Sequence, residues 1–221
     1  MPIVLRGCIG IGKAAATHHS GSYYSMFANI PGLKVVVPTT PYDAKGLFKT
    51  AIRSDDPVMF LEHKLLMNDK GDVPEAEYLI PFGQARIARE APASSAGHSV
   101  TVVAIAAMVK QVLAAADELA KEGVAVEVID PRTVAPLDMT TILASVHKTG
   151  RLLVVDETFM PCGIGAEIAA QVVAHGFDDL DAPIMRLNGA QAPTPYSPTL
   201  EEAIIPNQKS IAQAIRDLMA E

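Results

Sequence analysis

Residues 31–62 read PGLKVVVPTTPYDAKGLFKTAIRSDDPVMFLE. Val35–Val37 is a β-branched run, the composition of a strand, and Pro38 and Pro41 punctuate its end. Ala44, Leu47, Phe48, Ala51 and Ile52 then recur at helical spacing. Asp43 falls in the first turn of that helix, where negative charge suits the positive end of the dipole. Pro57 breaks the pattern and Val58–Leu61 resumes as strand, so the stretch predicts a βαβ-like unit.

Outward on the C-terminal side, residues 67–99 mix charge with Pro, Gly and Ser. They predict a linker with a short strand pair around Leu79–Ile87 and a mobile loop at Ala91–Gly97. From Ser99 the pattern alternates. Val100–Ala106, Val124–Ile129, Leu152–Val155 and Ile184–Leu187 read as strands. Helical faces lie between them: Val109, Val112, Leu113, Ala116, Leu119 and Ala120, then Ile142, Leu143 and Val146, then residues up to Ala174. Gly123 and Gly150 mark the ends of the first two, and Ser210–Met219 closes the chain as a helix. Strands alternating with helices predict a three-layer α/β/α domain over 99–221 with a mostly parallel sheet. On the N-terminal side, PIVLRG reads as a core strand with nothing before it to supply a neighbour.

Composition narrows the function. A net charge of −7 without any Lys/Arg-rich run argues against nucleic-acid binding. The longest apolar run, Val100–Val109, is too short to span a membrane, and Met1–Gly12 lacks a cleavable leader pattern. Cys8 and Cys162 are far apart without metal-ligand spacing, which suits structural thiols in a reduced, cytoplasmic compartment.

Four motifs carry candidate chemistry. Gly7–Lys13, GCIGIGK, fits the front of a phosphate-binding loop, but Ala14 stands where the magnesium-binding hydroxyl belongs. A Gly-rich turn allowing close backbone approach is the better reading. His18 and His19 precede Ser20-Gly21-Ser22; adjacent histidines point apart, so they are no metal pair, and spacing alone favours structural roles over proton transfer. Asp156-Glu157 ends a strand ahead of Cys162-Gly163-Ile164-Gly165, the edge of an α/β sheet where ligands bind, although such turns are often merely acidic. Asp130-Pro131-Arg132 has the same ambiguity.

Taken together, PIVLRG (2–7), HHSGS (18–22), the 31–58 stretch, EVIDPRTVAPLD (127–138), KTGRLLVVDE (148–157), GIGAEIAA (163–170) and PTPYSPTLEEAIIP (193–206) resemble a known family. It is the β subunit of thiamine diphosphate-dependent 2-oxo acid dehydrogenases, of pyruvate, branched-chain 2-oxo acid or acetoin type, which are transketolase-like. The resemblance implies that residues 1–70 are the C-terminal half of a pyrimidine-binding domain and 71–98 a linker. It makes 99–221 a transketolase C-terminal-type domain. It further implies oxidative decarboxylation of a 2-oxo acid with acyl transfer to lipoyl, thiamine diphosphate as cofactor, and magnesium held by an α subunit. The implied partners are that α subunit, a second β subunit and a lipoyl acyltransferase core.

Carried over by residue, the resemblance makes His19 the catalytic histidine facing cofactor and substrate. It places a potassium ion on Ile3, Ala51, Ile52, Ser54 and Asp56, largely through carbonyls, with Ser54 and Asp56 departing from the expected residues. It puts the cofactor-activating glutamate before Met1, so these residues contribute no cofactor-binding set and the isolated chain is expected to be inactive. The alternative reading is a non-catalytic module for β–β assembly and docking to the acyltransferase core, which the acidic balance suits.

Overall fold

A computed structural model describes residues 1–95 and 97–221. Strand β1 (Val4–Ile9) leads into two short helices, α1 (Ala16–His19) and α2 (Tyr24–Ala28). The quoted stretch follows as β2 (Lys34–Val36), α3 (Pro41–Ile52) and β3 (Val58–His63). β2 and β3 lie side by side and parallel with α3 crossing between them, which is the expected βαβ unit. Its helix starts where the sequence marks a start. Thr40 is extended and its side chain accepts the Asp43 N–H at 3.1 Å, with Pro41 just inside the helix; such a cap contributes about 1 kcal/mol. Leu47 and Ala51 pack beneath it against Val36, Val58, Phe60 and Ile80.

The second half supplies β4 (Arg86–Arg89), β5 (Ser99–Ala104), α4 (Met108–Leu119), β6 (Ala125–Asp130), β7 (Thr133–Ala135) and α5 (Met139–Thr149). These are followed by β8 (Leu152–Phe159), α6 (Ile164–Gly176), β9 (Met185–Gly189), α7 (Pro198–Ala203) and α8 (Gln208–Met219). The sheet order is β4-β6-β5-β8-β9, parallel throughout except for β4. Period-two alternation sorts its side chains. Val100, Val102, Leu153 and Val155 face α4 and α8, meeting Val112, Leu119, Ile211 and Ile215. Val103, Leu152 and Val154 face α5 and α6, meeting Ile142, Val146, Ile168 and Val172. Both faces are covered, so the strands read as unbroken apolar runs and the three-layer α/β/α expectation holds. Among the described residues no helix is long and apolar enough to cross a membrane.

The core under α5 and α6 continues into Ile9, Val35 and Leu61 of the first sheet and Tyr24 of α2. The two sheets also exchange a strand: β7 pairs antiparallel with β2, giving the order β1-β3-β2-β7. Three residues between prolines are too few for periodicity to reveal. The expected strand pair around Leu79–Ile87 is a single strand, β4, antiparallel to β6. Pro81 has no N–H to give a ladder and Gly83 turns the chain at φ 74°, so pairing begins only at Arg86. The loop expected at Ala91–Gly97 runs through Ala96, which lies outside the described residues. The expected strand Leu152–Val155 continues to Phe159, placing Asp156 and Glu157 within β8 instead of beyond it. That extension positions the site.

Candidate active site

The carboxyl ends of β1 and β3 open onto a cleft of about 640 Å³. Ile9, Phe27 and Leu61 form its apolar floor; Lys13, His18, His19 and Lys64 stand along it, with Cys8 and Tyr23 beside them. The histidines belong to α1, a single turn, and both are exposed. His19, read from spacing as a bland surface residue and from resemblance as catalytic, thus lines a cleft. Both cysteines are exposed and free, and Cys8 lines the cleft. The GCIGIGK turn leads into four helical residues, with no long helix to present its N-terminus to a phosphate.

Gly10 shows what that turn is for. Its φ is 109°, and a Cβ there would lie 2.2 Å from the His63 ring. Glycine therefore lets the backbone close over His63, which is 1% exposed at the end of β3. His63 Nδ1 accepts the Leu65 N–H at 3.2 Å, so the proton sits on Nε2, which donates to Glu157 Oε2 at 3.0 Å. The same carboxylate accepts the Ile11 N–H at 3.4 Å and, through Oε1, the Ser22 hydroxyl. Its neighbour Asp156 accepts the Tyr24 hydroxyl, the Thr158 N–H at 2.9 Å and the Thr158 hydroxyl at 2.7 Å. Burial pushes the Asp156 carboxyl above its ordinary value against the pull of these bonds. Burial, with the Asp156 and Glu157 charges, holds the Tyr24 phenol well above its own.

Asp130-Pro131-Arg132 resolves differently. Arg132 reaches Asp43 at 2.8 Å, and Arg86 reaches Asp130 at 2.9 Å and Asp43 at 3.7 Å. Thr39 also donates to Asp130. The cluster joins α3, β4 and β6, and its two acids match two arginines. Burial raises the Asp130 pKa in spite of Arg86.

Of the five residues read for potassium, Ile3 precedes β1, while Ala51, Ile52, Ser54 and Asp56 lie at the end of α3 and in the turn after it. Ile3 O accepts the Val58 N–H at 2.9 Å, which sets it beside the turn that follows α3. In that turn Ala51 O accepts the Ser54 N–H at 3.2 Å and Ser54 Oγ accepts the Asp56 N–H at 3.2 Å. Asp56 pairs with Lys34 at 3.3 Å, and Ile52 is exposed. The groups these residues offer are all oxygens, which suits a hard cation. Among the described residues no group of three or more His, Cys, Asp or Glu side chains is arranged to hold a metal.

Sequence reasoning singled out His19 and Asp156-Glu157 but did not connect them. It missed His63, Ser22 and Tyr24 as members of one cluster. The available signal was polarity at the end of an apolar strand, Glu62-His63-Lys64 after Leu61, beside a turn with two glycines.

The cleft lies at strand carboxyl ends of a βαβ sheet whose core is continuous with that of a three-layer α/β domain, the edge where α/β folds bind ligands. The chain belongs to the transketolase family: residues 89–211 match the transketolase C-terminal domain, and residues 1–70 match the transketolase pyrimidine binding domain. It is 48% identical over 218 residues to acetoin:2,6-dichlorophenolindophenol oxidoreductase subunit beta of Cupriavidus necator, covering 99% of this chain and 63% of that protein. It is 44% identical over 215 residues to pyruvate dehydrogenase E1 component subunit beta of Rickettsia felis, covering 97% of this chain and 64% of that one. The chain therefore spans less than two thirds of the length of these relatives. A solved structure described as a split gene transketolase, inactive beta4 tetramer, superposes with a TM-score of 0.77 at 19% identity. That likeness covers 99% of this chain and 66% of the other, and speaks to the fold.

Proposed function

We propose that the chain is part of the β subunit of a cytoplasmic, thiamine diphosphate-dependent 2-oxo acid dehydrogenase. The reaction is oxidative decarboxylation of a 2-oxo acid with acyl transfer to a lipoyl group. The partners are an α subunit that holds the diphosphate and magnesium, a second β subunit and a lipoyl acyltransferase core. The observation that carries this reading is His19, exposed on a cleft lined by apolar Ile9, Phe27 and Leu61 and by Lys13 and Lys64. The relatives named as E1 beta subunits support it.

The lining suits the reacting end of the cofactor: imidazoles beside an apolar surface, with no magnesium-binding carboxylate set among the described residues. Thiamine diphosphate, when bound, supplies the electron sink. The chain's own contribution is narrower. Lys13 and Lys64 favour an anionic substrate, and Ile9, Phe27 and Leu61 exclude water from its aliphatic end. The His19 imidazole holds or moves a proton at the cleft wall, the role that suits histidine near neutral pH. A potassium ion on the oxygens of Ile3, Ala51, Ile52, Ser54 and Asp56 belongs to the same proposal, supported by their all-oxygen donor set.

The test uses the assembled enzyme that carries this chain, with 2-oxo acid-dependent reduction of a dye acceptor as the readout. Omitting thiamine diphosphate should abolish turnover, and His19→Asn should lower kcat about 100-fold. Replacing potassium with a bulky organic cation should lower it further. A His19→Asn enzyme within twofold of the parent sinks the His19 role, and indifference to potassium sinks the cation site.

A further inference from the structure

We propose that Glu157 is the positioning residue of the histidine segment: one buried carboxylate that grips both ends of residues 11–22 and so holds His19 against the cleft. The grip is explicit in the bonds. Ile11 donates its backbone N–H to Oε2 at 3.4 Å, and Ser22 donates its hydroxyl to Oε1. These two residues bracket Lys13, His18 and His19. Glu157 is 1% exposed and follows directly on the stretch of β8 that pairs with β5 as far as Val155 and, in unbroken register, with β9 as far as Asp156, so the grip is anchored at the end of a strand held on both sides. His63, with its proton fixed on Nε2 by the Leu65 N–H, occupies a second place on Oε2 at 3.0 Å. The carboxylate is thus held by three neutral donors from three places in the first sheet's half, none of them an arginine or lysine. A cation there would pin Glu157 to itself; neutral donors leave its charge directed at the segment.

The segment between the grips needs such holding. Ala14 and Ala16 both have φ of 50°, a conformation that non-glycine residues rarely adopt and that persists only when surroundings impose it. Two further ties come from the same half of the molecule as Glu157. The Ala14 N–H donates to Glu201 Oε2 at 2.8 Å, and the Thr17 hydroxyl donates to the Thr194 carbonyl at 3.3 Å. These ties act on the middle of the segment, whereas Glu157 alone fixes both ends.

The consequence for turnover rests on the reading of His19 given above; the grip itself does not. Hydrogen exchange of the whole chain, followed by mass spectrometry, separates the two. In Glu157→Gln one carboxylate oxygen becomes an amide that cannot accept, and exchange within residues 11–22 should accelerate at least tenfold while β5 and β8 keep their protection. Ser22→Ala frees one end only and should give a smaller acceleration in the same peptides, and it decides the matter if Glu157→Gln fails to fold. Unchanged exchange in the folded variants overturns the grip. In the assembled enzyme Glu157→Gln should lower kcat at least tenfold with KM within threefold. Faster exchange with kcat within twofold would overturn the positioning role for His19, while a His19→Asn enzyme with kcat within twofold of the parent would instead remove the functional reading.

Discussion

Two buried acidic pairs, Asp130 at the end of β6 with Asp43 in the first turn of α3, and Asp156 with Glu157 in β8, are solved by opposite means. Asp130 and Asp43 are matched by Arg86 and Arg132, so their cluster is neutral and joins three elements. Asp156 and Glu157 are met by a tyrosine, a serine, a threonine, a neutral histidine and backbone N–H groups. The first arrangement fastens the two halves together. The second leaves net negative charge next to the cleft, held by donors that orient without neutralising. Asp138 separates the two influences at work. It too is served only by neutral donors, Ala85 and Thr141, but it is half-buried. Burial still opposes its ionisation, yet those bonds win and its pKa is lowered, whereas that of fully buried Asp156 is raised.

The largest effect should come from unbalancing the neutral cluster. Arg132→Met leaves Asp43 buried with the Thr39 and Thr40 hydroxyls and, among the described residues, Arg86 at 3.7 Å as its remaining cation, a loss of about 3 kcal/mol in urea unfolding. A loss below about 1 kcal/mol, the scale of an exposed pair, would erase the distinction between the clusters.

Tyr24→Phe tests the other side. It removes a hydroxyl donor from Asp156, which should cost about 2 kcal/mol at neutral pH, as for a bond to a charged acceptor. The raised Asp156 pKa sets the sign of its pH dependence. Between the unfolded and folded values the native state binds more protons, so this carboxyl's contribution falls as pH rises. The Tyr24→Phe deficit should therefore shrink as pH is lowered and Asp156 takes up its proton. A deficit independent of pH would mean that the hydroxyl serves packing alone.

Asp138→Ala gives the smallest change, about 1 kcal/mol for a lost N-cap on α5. Here the folded pKa is lowered, so the contribution is complete above the unfolded value and is lost as pH falls through the folded one. Its deficit should vanish in acid, measured by thermal unfolding at stepped pH, while Asp138→Asn, which keeps an oxygen for the cap but gives up the acceptor of the Ala85 N–H, should show a smaller deficit. Equal deficits for the two would refute the capping account.

Most of the fold was legible because its strands and helices are long enough for periodicity to speak. Leu47 and Ala51, Val112 and Leu119, and Ile142 and Val146 fall on the faces that the spacing marks, and Thr40, Asp138 and Gly150 stop or start helices by local chemistry. β7 and α7 were not legible, having three and six residues. The site was half legible. His19 emerged from wording shared with a family, while Asp156-Glu157 and Asp130-Pro131-Arg132 looked alike, each an acidic step after an apolar strand.

Local residue chemistry determined the elements, their order and the family to which the chain belongs, because backbone preference and apolar period act over a few neighbouring residues. Only the tertiary structure decided that Glu157 lies within hydrogen-bonding reach of Ile11, Ser22 and His63 while Arg132 turns toward Asp43. Those partners are separated by 146, 135, 94 and 89 residues along the chain. A carboxylate's charge state and role depend on what surrounds it in space, and no local pattern carries that.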